Sequence, residues 1–154
     1  ADKYESMALM TTDDAKFYTI SKSFEEFDNS NLDLFVQYTV RHEQTLDCGG
    51  GYLKLYPKLD DLASVKGGAE ETPYNIMFGP DICGSTQKTH FIFNYKGKNL
   101  DCKTQILAPT GTQTHHFMFS LYRNKTFNVK IDMETKLTGQ IEDQWQFLEP
   151  RQIN

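Results

Sequence analysis

The stretch DCGGGYLKLY, residues 47–56, and a second stretch, YNIMFGPDICG, residues 74–84, decide the fold of this chain. Each stretch combines one cysteine with a strand-like run that carries tyrosine and charged or hydrogen-bonding side chains. Three successive glycines precede Tyr52, so a ligand or a second backbone segment can approach closely there. Aromatic rings beside fixed polar groups suit a sugar, which has an apolar C–H face and a rim of hydroxyls. On these residues alone, other ligands stay open.

Working outward, the chain repeats a pattern of short strands separated by turns. Apolar and polar residues alternate with a period of two, as expected when one face of a strand is buried. The 11 Phe, 8 Tyr and 1 Trp suit packed, pleated sheets. We therefore predict an all-β fold, an antiparallel sandwich of two sheets. The alternating segments are residues 34–40, 52–56, 90–95 and 126–132.

Turn and loop signals lie between these segments. Residues 95–99 and 122–126 have the composition of hairpin turns. Residues 58–71 are polar and glycine-containing, which predicts a loop with one helical turn. Residues 97–101 are predicted to form a loop that leads into Cys102. No long amphipathic helical pattern interrupts this all-β organisation.

Length and charge narrow the classes of function. A chain of 154 residues fits one domain with a sizeable core. Its 16 basic and 21 acidic residues give a formal net charge of −5, which argues against a nucleic-acid-binding surface. No apolar run is long enough to predict a transmembrane helix.

The cysteine count leaves two alternatives. Three cysteines permit at most one internal disulfide and one free thiol. The other alternative is three reduced thiols in a cytosolic protein. A disulfide would indicate an oxidising compartment.

The two opening stretches together closely resemble the calreticulin and calnexin family of lectin chaperones, and calreticulins more closely than calnexins. The resemblance extends over residues 16–153, and it implies a jelly-roll sandwich like that of the legume lectins. We expect one globular lectin domain over residues 1–154. Relative to the family plan, we expect this domain to lack the first strands, the proline-rich arm and the acidic C-terminal tail. The strongest matches are residues 35–56, 73–84, 90–98 and 127–132.

The resemblance also implies a disulfide and a sugar site. Cys48 pairs with Cys83, and Cys102 stays free. The family binds the terminal glucose of a monoglucosylated high-mannose glycan on its concave sheet. The residues that match its sugar contacts are Tyr52, Lys54, Tyr74, Met77, Asp81 and Ile92.

Physical roles follow for these residues. The Lys54 ammonium donates and the Asp81 carboxylate accepts hydrogen bonds, so together they can bind neighbouring sugar hydroxyls. Tyr52 and Tyr74 supply rings with hydroxyl groups at their rim. Tyr74 and Met77 are separated by an odd number of residues, so an unbroken strand would place them on opposite faces. A bulge or a strand end between them is therefore required.

The implied function is that of a calcium-dependent lectin chaperone in the lumen of the endoplasmic reticulum, with the cell surface or secretion as further locations. Its implied partners are monoglucosylated N-glycans and unfolded glycoproteins, and a co-chaperone of the protein disulfide isomerase type that binds the arm. The family also uses an acidic sugar contact from a strand after the arm, which has no counterpart here. Calcium is implied as a structural ion, but no row of alternating aspartates resembles a calcium loop, so its ligands stay unknown.

Histidines and one asparagine complete the candidate residues. The spacing of His42, His90, His115 and His116 does not match a zinc site, and we expect packing or solvated roles for them. Asn124-Lys125-Thr126 is a glycosylation sequon at a predicted turn, which makes Asn124 a candidate for modification.

Two other classes of function compete with the lectin. A glycosidase on the same fold needs two carboxylates at defined separation. Asp132 and Glu134, predicted to share one face of a strand, are the only pair that fits, and they lie outside both sugar motifs. We therefore do not expect an enzyme. The other competitor is a glycan-independent adhesion or receptor-binding module, for which no motif locates a surface.

Overall fold

The computed structural model describes residues 7–67 and 71–148. It divides into two compact units. The first comprises Ala1–Glu25 and Leu59–Thr72, and the second comprises Glu26–Lys58 and Pro73–Asn154. The expectation of a single lectin domain over residues 1–154 stays a prediction. In the described ranges, no helix is both long and apolar enough to cross a membrane.

The described part of the first unit consists of loops around one 3-10 helix, Leu62–Ser64. The Asp61 carboxylate caps this helix by accepting a hydrogen bond of 2.8 Å from the Ala63 backbone N–H. The Ser21 hydroxyl donates to the Leu62 carbonyl at 3.2 Å and links the two segments of the unit. The helical turn predicted within residues 58–71 is thereby confirmed, and residues 68–70 of that prediction lie outside the described residues.

The second unit contains two antiparallel sheets, as the alternation of apolar residues predicted. In the described residues, sheet A has the strand order β1-β8-β9-β10, and sheet B has the order β2-β4-β5-β6, with β3 also paired to β4 and β7 paired to β5. A short helix, α1 (Ile141–Gln144), follows sheet A. Sheet A comprises β1 (Leu34–Arg41), β8 (Thr114–Leu121), β9 (Thr126–Ile131) and β10 (Glu134–Gln140). Sheet B comprises β2 (Cys48–Gly50), β3 (Leu53–Leu55), β4 (Ile76–Cys83), β5 (Thr86–Tyr95), β6 (Lys98–Asp101) and β7 (Ile106–Leu107).

An aromatic core joins the two sheets. The Phe91 ring of β5 lies 4.8 Å from the Phe119 ring of β8, centroid to centroid. Trp145 is 1% exposed, and its indole N–H donates to the Phe91 carbonyl at 3.0 Å. Burying these rings supplies a large share of the hydrophobic stabilisation. Because alternate residues of a strand face opposite ways, residues next to Phe78 and Phe91 face away from this core.

The connections largely match the turn predictions. Lys96 and Gly97 have φ of 51° and 76° and connect β5 to β6, as a two-residue hairpin turn requires. The 122–126 turn is also present, with the Tyr122 N–H bonded to the Thr126 carbonyl at 2.9 Å. The predicted loop at residues 97–101 is wrong, because Lys98–Asp101 forms β6 and pairs with β5.

A second correction concerns the carboxylate pair at the end of β9. The strand ends at Ile131, and Asp132 and Met133 have φ of 53° and 65°. These two residues form the turn to β10, which begins at Glu134. The prediction that Asp132 and Glu134 share one strand face is therefore wrong, because the turn separates them.

Candidate functional site

A disulfide joins the two motif stretches. β2 pairs with β4 so that Cys48 lies opposite Cys83 and Gly50 lies opposite Asp81. The Cys48–Cys83 bond is formed, with the two Cα atoms 3.9 Å apart, and Cys102 is free. The pairing implied by the resemblance is confirmed. The bond closes a loop with a sequence separation of 35 residues, which stabilises the fold by about 3–4 kcal/mol on the chain-entropy model.

Side chains from three neighbouring strands form one row on the outer face of sheet B. Lys54 of β3 lies opposite Met77 of β4, and Met77 lies opposite Ile92 of β5. Asp81 lies four residues after Met77 on the same strand and therefore on the same face. We call this outer face of sheet B the motif face; its sequence-predicted residues are Tyr52, Lys54, Tyr74, Met77, Asp81 and Ile92.

Tyr74 joins the motif face from outside the strand. β4 begins only at Ile76, so the predicted strand end between Tyr74 and Met77 is present. The Asn75 N–H donates to the Leu55 carbonyl at 2.8 Å and holds this approach to the strand against β3. Tyr74 is 3% exposed. Its ring is therefore held in place before any ligand binds.

The Lys54 ammonium lies over the two tyrosine rings. Its Nζ is 5.3 Å from the centre of the Tyr52 ring and 5.0 Å from that of the Tyr74 ring. Both distances fall within the range of cation–π attraction. Partial burial lowers the pKa of Lys54. Partial burial, and next to it the Asp81 carboxylate, raise the pKa of Tyr52, so its hydroxyl stays a hydrogen-bond donor.

Gly51, next to Tyr52, lies against a second backbone segment, because its N–H donates to the Pro80 carbonyl at 2.9 Å. The Tyr38 hydroxyl of sheet A lies 2.9 Å from the Gly51 carbonyl oxygen and 3.1 Å from the Phe78 carbonyl oxygen, and its one hydrogen is shared between them. A Cβ atom on Gly79 would lie 1.9 Å from the Tyr38 hydroxyl and 2.7 Å from the Tyr52 Cα. Gly79 also has a φ of 139°, which favours glycine. The close approach anticipated from the sequence is thus made by protein atoms.

Three further polar side chains lie on the motif face: His90, for which the sequence predicted a packing or solvated role, and Lys88 and Asp101, which it did not single out. The His90 Nε2 lies 2.9 Å from Asp81 Oδ2, and its Nδ1 lies 3.9 Å from Asp101 Oδ2. The Lys88 Nζ lies 3.3 Å from the same Asp101 oxygen. The signal for His90 and Lys88 was present, because both alternate with Phe91 on β5 and must face outward. Asp101 was missed because its strand was predicted as a loop.

These groups shift one another's protonation. Asp101 first, and then Asp81, raise the pKa of His90, against the opposing effects of burial and of Lys88. Burial raises the pKa of Asp101, but the nearby His90 imidazole and Lys88 ammonium outweigh it, and the net shift is downward. The motif face therefore holds fixed donors and acceptors beside aromatic rings, and Tyr52 stands edge-on to His90 with ring centres 6.4 Å apart.

The remaining candidate residues lie elsewhere. His115 Nδ1 is 2.7 Å from Asp132 Oδ2, and the His116 backbone N–H donates to Asp132 Oδ1 at 2.9 Å. Asn124 is exposed in the β8–β9 turn. Among the described residues, no group of three or more His, Cys, Asp or Glu side chains is placed to hold a metal ion. The calcium implied by the resemblance is therefore assigned to no side chain of the described residues.

Comparisons with known proteins show which family this chain resembles. The model of the calreticulin family matches residues 2–154. The chain is 46% identical to calreticulin of Homo sapiens over 153 residues, which is 99% of this chain and 36% of that protein. It is 45% identical to calreticulin of Euglena gracilis, covering 99% of this chain and 37% of that protein. The chain therefore spans little more than a third of the length of these relatives.

A solved structure shows the same fold. The T. cruzi calreticulin globular domain is similar to this chain with a TM-score of 0.71 and 38% sequence identity. The similarity covers 79% of this chain and 45% of that one. The fold expected from the resemblance is confirmed.

Proposed function

Because this chain belongs to the calreticulin family, we propose that its motif face binds monoglucosylated high-mannose N-glycans as part of a lectin chaperone. The observation that supports this most strongly is the position of Lys54. Its ammonium lies about equally far from two tyrosine rings, at 5.3 and 5.0 Å, on the same outer face as the Asp81 carboxylate.

Five residues of the motif face have a defined part in the proposal. The Lys54 ammonium donates to sugar hydroxyls, and Asp81 accepts from them. Met77 and Ile92 are adjacent across β4 and β5 and form the apolar floor under the sugar ring, to which the thioether of Met77 adapts. Tyr52, which is 40% exposed, covers the edge of the ring.

His90 has a positioning part in this site. Its Nε2 lies within hydrogen-bond distance of Asp81, and only 11% of its side chain is exposed, compared with 35% of the Asp81 side chain. His90 therefore fixes the Asp81 carboxylate on its buried side, while the other side stays open to solvent. A fixed acceptor loses less conformational freedom when the ligand binds.

The cellular setting follows from the same proposal. Ligands are glycans of unfolded glycoproteins in the lumen of the endoplasmic reticulum, where the Cys48–Cys83 bond can form. A co-chaperone of the protein disulfide isomerase type would bind the proline-rich arm, which this sequence does not include. The calcium dependence of the family is assigned to no residue here.

The experiment is calorimetric titration of the full-length natural protein with a mannose oligosaccharide that carries a terminal glucose. The same oligosaccharide without the glucose is the matched control ligand. We expect binding of the first and much weaker binding of the second. Chromatography after long incubation should return the glucosylated ligand intact, as a lectin requires. Equal affinity for both ligands, or release of glucose, would contradict the proposal.

A further inference from the structure

The backbone that carries Tyr52 lies at a break between two short strands. β2 ends at Gly50 and β3 begins at Leu53. Both strands pair with β4 in one continuous register, which places Gly51 opposite Pro80. The break therefore lies inside a single strand path, and Tyr52 leaves this path toward the motif face.

Pro80 explains why the pairing with β4 is interrupted at this point. In a hydrogen-bonded pair of an antiparallel sheet, the two facing residues exchange two backbone bonds. The Gly51 N–H donates the first of these to the Pro80 carbonyl at 2.9 Å. Proline has no backbone N–H with which to return the second bond. The Gly51 carbonyl therefore needs a donor from outside the sheet.

The Tyr38 hydroxyl takes the place of the missing donor. It reaches over from β1 of sheet A and lies 2.9 Å from the Gly51 carbonyl oxygen. Burial raises the pKa of Tyr38, so the hydroxyl keeps its hydrogen at neutral pH. Gly79 leaves room for it, because a Cβ atom there would lie 1.9 Å from the hydroxyl oxygen. A side chain of one sheet thus completes the backbone pairing of the other.

The core fixes the position of this hydroxyl. The Tyr38 ring is stacked on Phe117, with ring centres 5.7 Å apart and 24° between the ring planes. The Phe78 ring stands edge-on to it, with centres 6.4 Å apart. Because the hydroxyl oxygen lies in the plane of a rigid ring, packing of the ring also fixes the donor.

The direction of the Tyr52 ring depends on the backbone at the break. The ring lies directly over Gly50, where a Cβ atom would be 2.5 Å from a ring carbon. Its other contacts are the Lys54 Nζ at 5.3 Å and the edge-on His90 ring at 6.4 Å. Tyr52 is 40% exposed. These side-chain contacts leave the ring open on one side, so its direction is set mainly by residues 50–52.

We propose that Tyr38 is a positioning residue of the sugar site, which donates to the Gly51 carbonyl in place of Pro80 and thereby holds Tyr52 ready for the ligand. This inference rests on the proposed function. Tyr38 lies on the core side of sheet B and does not itself contact the sugar. Without its hydroxyl the backbone at the break gains freedom, and the sugar then has to order Tyr52 on binding.

The test begins with calorimetric titration of the full-length natural protein with a glucose-capped mannose oligosaccharide. Tyr38→Phe removes the hydroxyl and keeps the packed ring, so the fold should survive, and thermal unfolding verifies this. We expect the affinity to fall about fivefold, the factor that corresponds to one neutral hydrogen bond. Tyr122→Phe makes the same chemical change at the β8–β9 turn and should bind like the parent.

Two further backgrounds distinguish positioning from a general loss of stability. Pro80→Ala restores a backbone N–H opposite Gly51, so in this background Tyr38→Phe should cost much less affinity. Tyr52→Ala removes the ring that is positioned, so in this background Tyr38→Phe should weaken binding no further. Each double variant is compared with its own single variant, which separates the effect of the hydroxyl from that of the background.

Three outcomes would overturn one proposal or the other. If Lys54→Ala weakens binding and Tyr38→Phe does not, the positioning role is wrong while the proposed function stands. If Tyr38→Phe weakens binding equally in all three backgrounds, Tyr38 acts on the fold as a whole, and the positioning role is again wrong. If the parent protein does not bind the oligosaccharide, the proposed function fails and the positioning role fails with it.

Discussion

Two histidine–aspartate pairs of similar geometry occupy opposite kinds of surroundings. His90 and Asp81 are 2.9 Å apart on the motif face, beside an aromatic ring, a lysine and a second carboxylate. His115 and Asp132 are 2.7 Å apart at the β9–β10 turn, where Asp132 also accepts from a backbone N–H. Asp81 contacts His90 through one oxygen, whereas Asp132 uses both oxygens to hold a turn.

A histidine–aspartate pair does not by itself define a binding site. Both pairs place a carboxylate within hydrogen-bond distance of an imidazole. What differs is the neighbourhood: the Asp81 pair lies between rings and further charges on one strand face, and the Asp132 pair lies in a turn with two residues of positive φ. The residues that surround the pair therefore decide whether it can take part in binding.

The largest expected effect is on the stability of the motif face. Replacing Cys48 and Cys83 together by serine should lower the free energy of unfolding by about 3–4 kcal/mol, because the unfolded chain regains the freedom that the closed loop removes. Chemical denaturation of parent and variant measures this difference. Cys102→Ser is the control and should change stability far less, since that thiol is free. A double serine variant as stable as the parent would contradict the role of the disulfide.

The second-largest expected effect is on sugar affinity, which should distinguish Asp81 from Asp132. Lys54→Ala or Asp81→Ala should each cost about 1.5–3 kcal/mol of binding to a glucose-capped mannose glycan, at least a tenfold loss. Calorimetry of the full-length protein measures it, and the fold should survive because the motif face is outside the core. Asp132→Ala is the matched variant of the other pair and should bind normally. If Asp132→Ala weakens binding as much as Asp81→Ala does, the distinction between the pairs fails.

Part of the surroundings of these two histidine–aspartate pairs could be predicted from the sequence, and part could not. Strand alternation gave the outward face of β5, and the odd offset between Tyr74 and Met77 correctly required a strand end. Asp101 was missed because β6 has only four residues, too few for a periodic signal. The prediction that Asp132 lies on a strand was wrong because composition gives no signal for a turn with positive φ at two non-glycine residues.

The two pairs should also respond to opposite ranges of pH. The pKa of His90 is raised in the folded protein, so its contribution to stability is present below its unfolded value of about 6.5. This contribution is lost as the pH rises through the higher folded value. The pKa of Asp132 is lowered, by His115 first and then by the His116 N–H. Its contribution is present above the unfolded value of about 3.9 and is lost as the pH falls through the folded value.

Urea denaturation from pH 3 to pH 9 measures both effects. His90→Gln should remove part of the loss of stability above about pH 6.5. Because Asp101 then loses a partner that lowers its pKa, the variant should also lose a smaller contribution in the acid range. Asp132→Asn should remove part of the loss of stability below about pH 4 and leave the range above about pH 6.5 unchanged. Each effect should stay below about 1 kcal/mol, because the partner carboxylates are in contact with solvent. Identical pH profiles for His90→Gln and the parent would show that this pair contributes nothing to stability.

Substitution of Asn124, in the β8–β9 turn of sheet A, should have the smallest effect on the fold. We propose that this asparagine carries an N-linked glycan when the protein is made in a secretory-pathway host. The side chain is exposed, and its Oδ1 accepts from the Thr126 hydroxyl at 2.6 Å and from the Thr126 N–H at 3.1 Å. The sequon is thus presented at a turn, as modification requires.

Glycosidase treatment should lower the mass of the parent and leave that of Asn124→Gln unchanged. Asn31→Gln, an exposed asparagine outside any sequon, should still lose mass on treatment. Because Asn124 lies on sheet A and not on the motif face, Asn124→Gln should keep the sugar affinity of the parent. An equal mass of the parent before and after treatment would show that Asn124 is not modified, and a loss of sugar affinity in Asn124→Gln would show that the two surfaces are not independent.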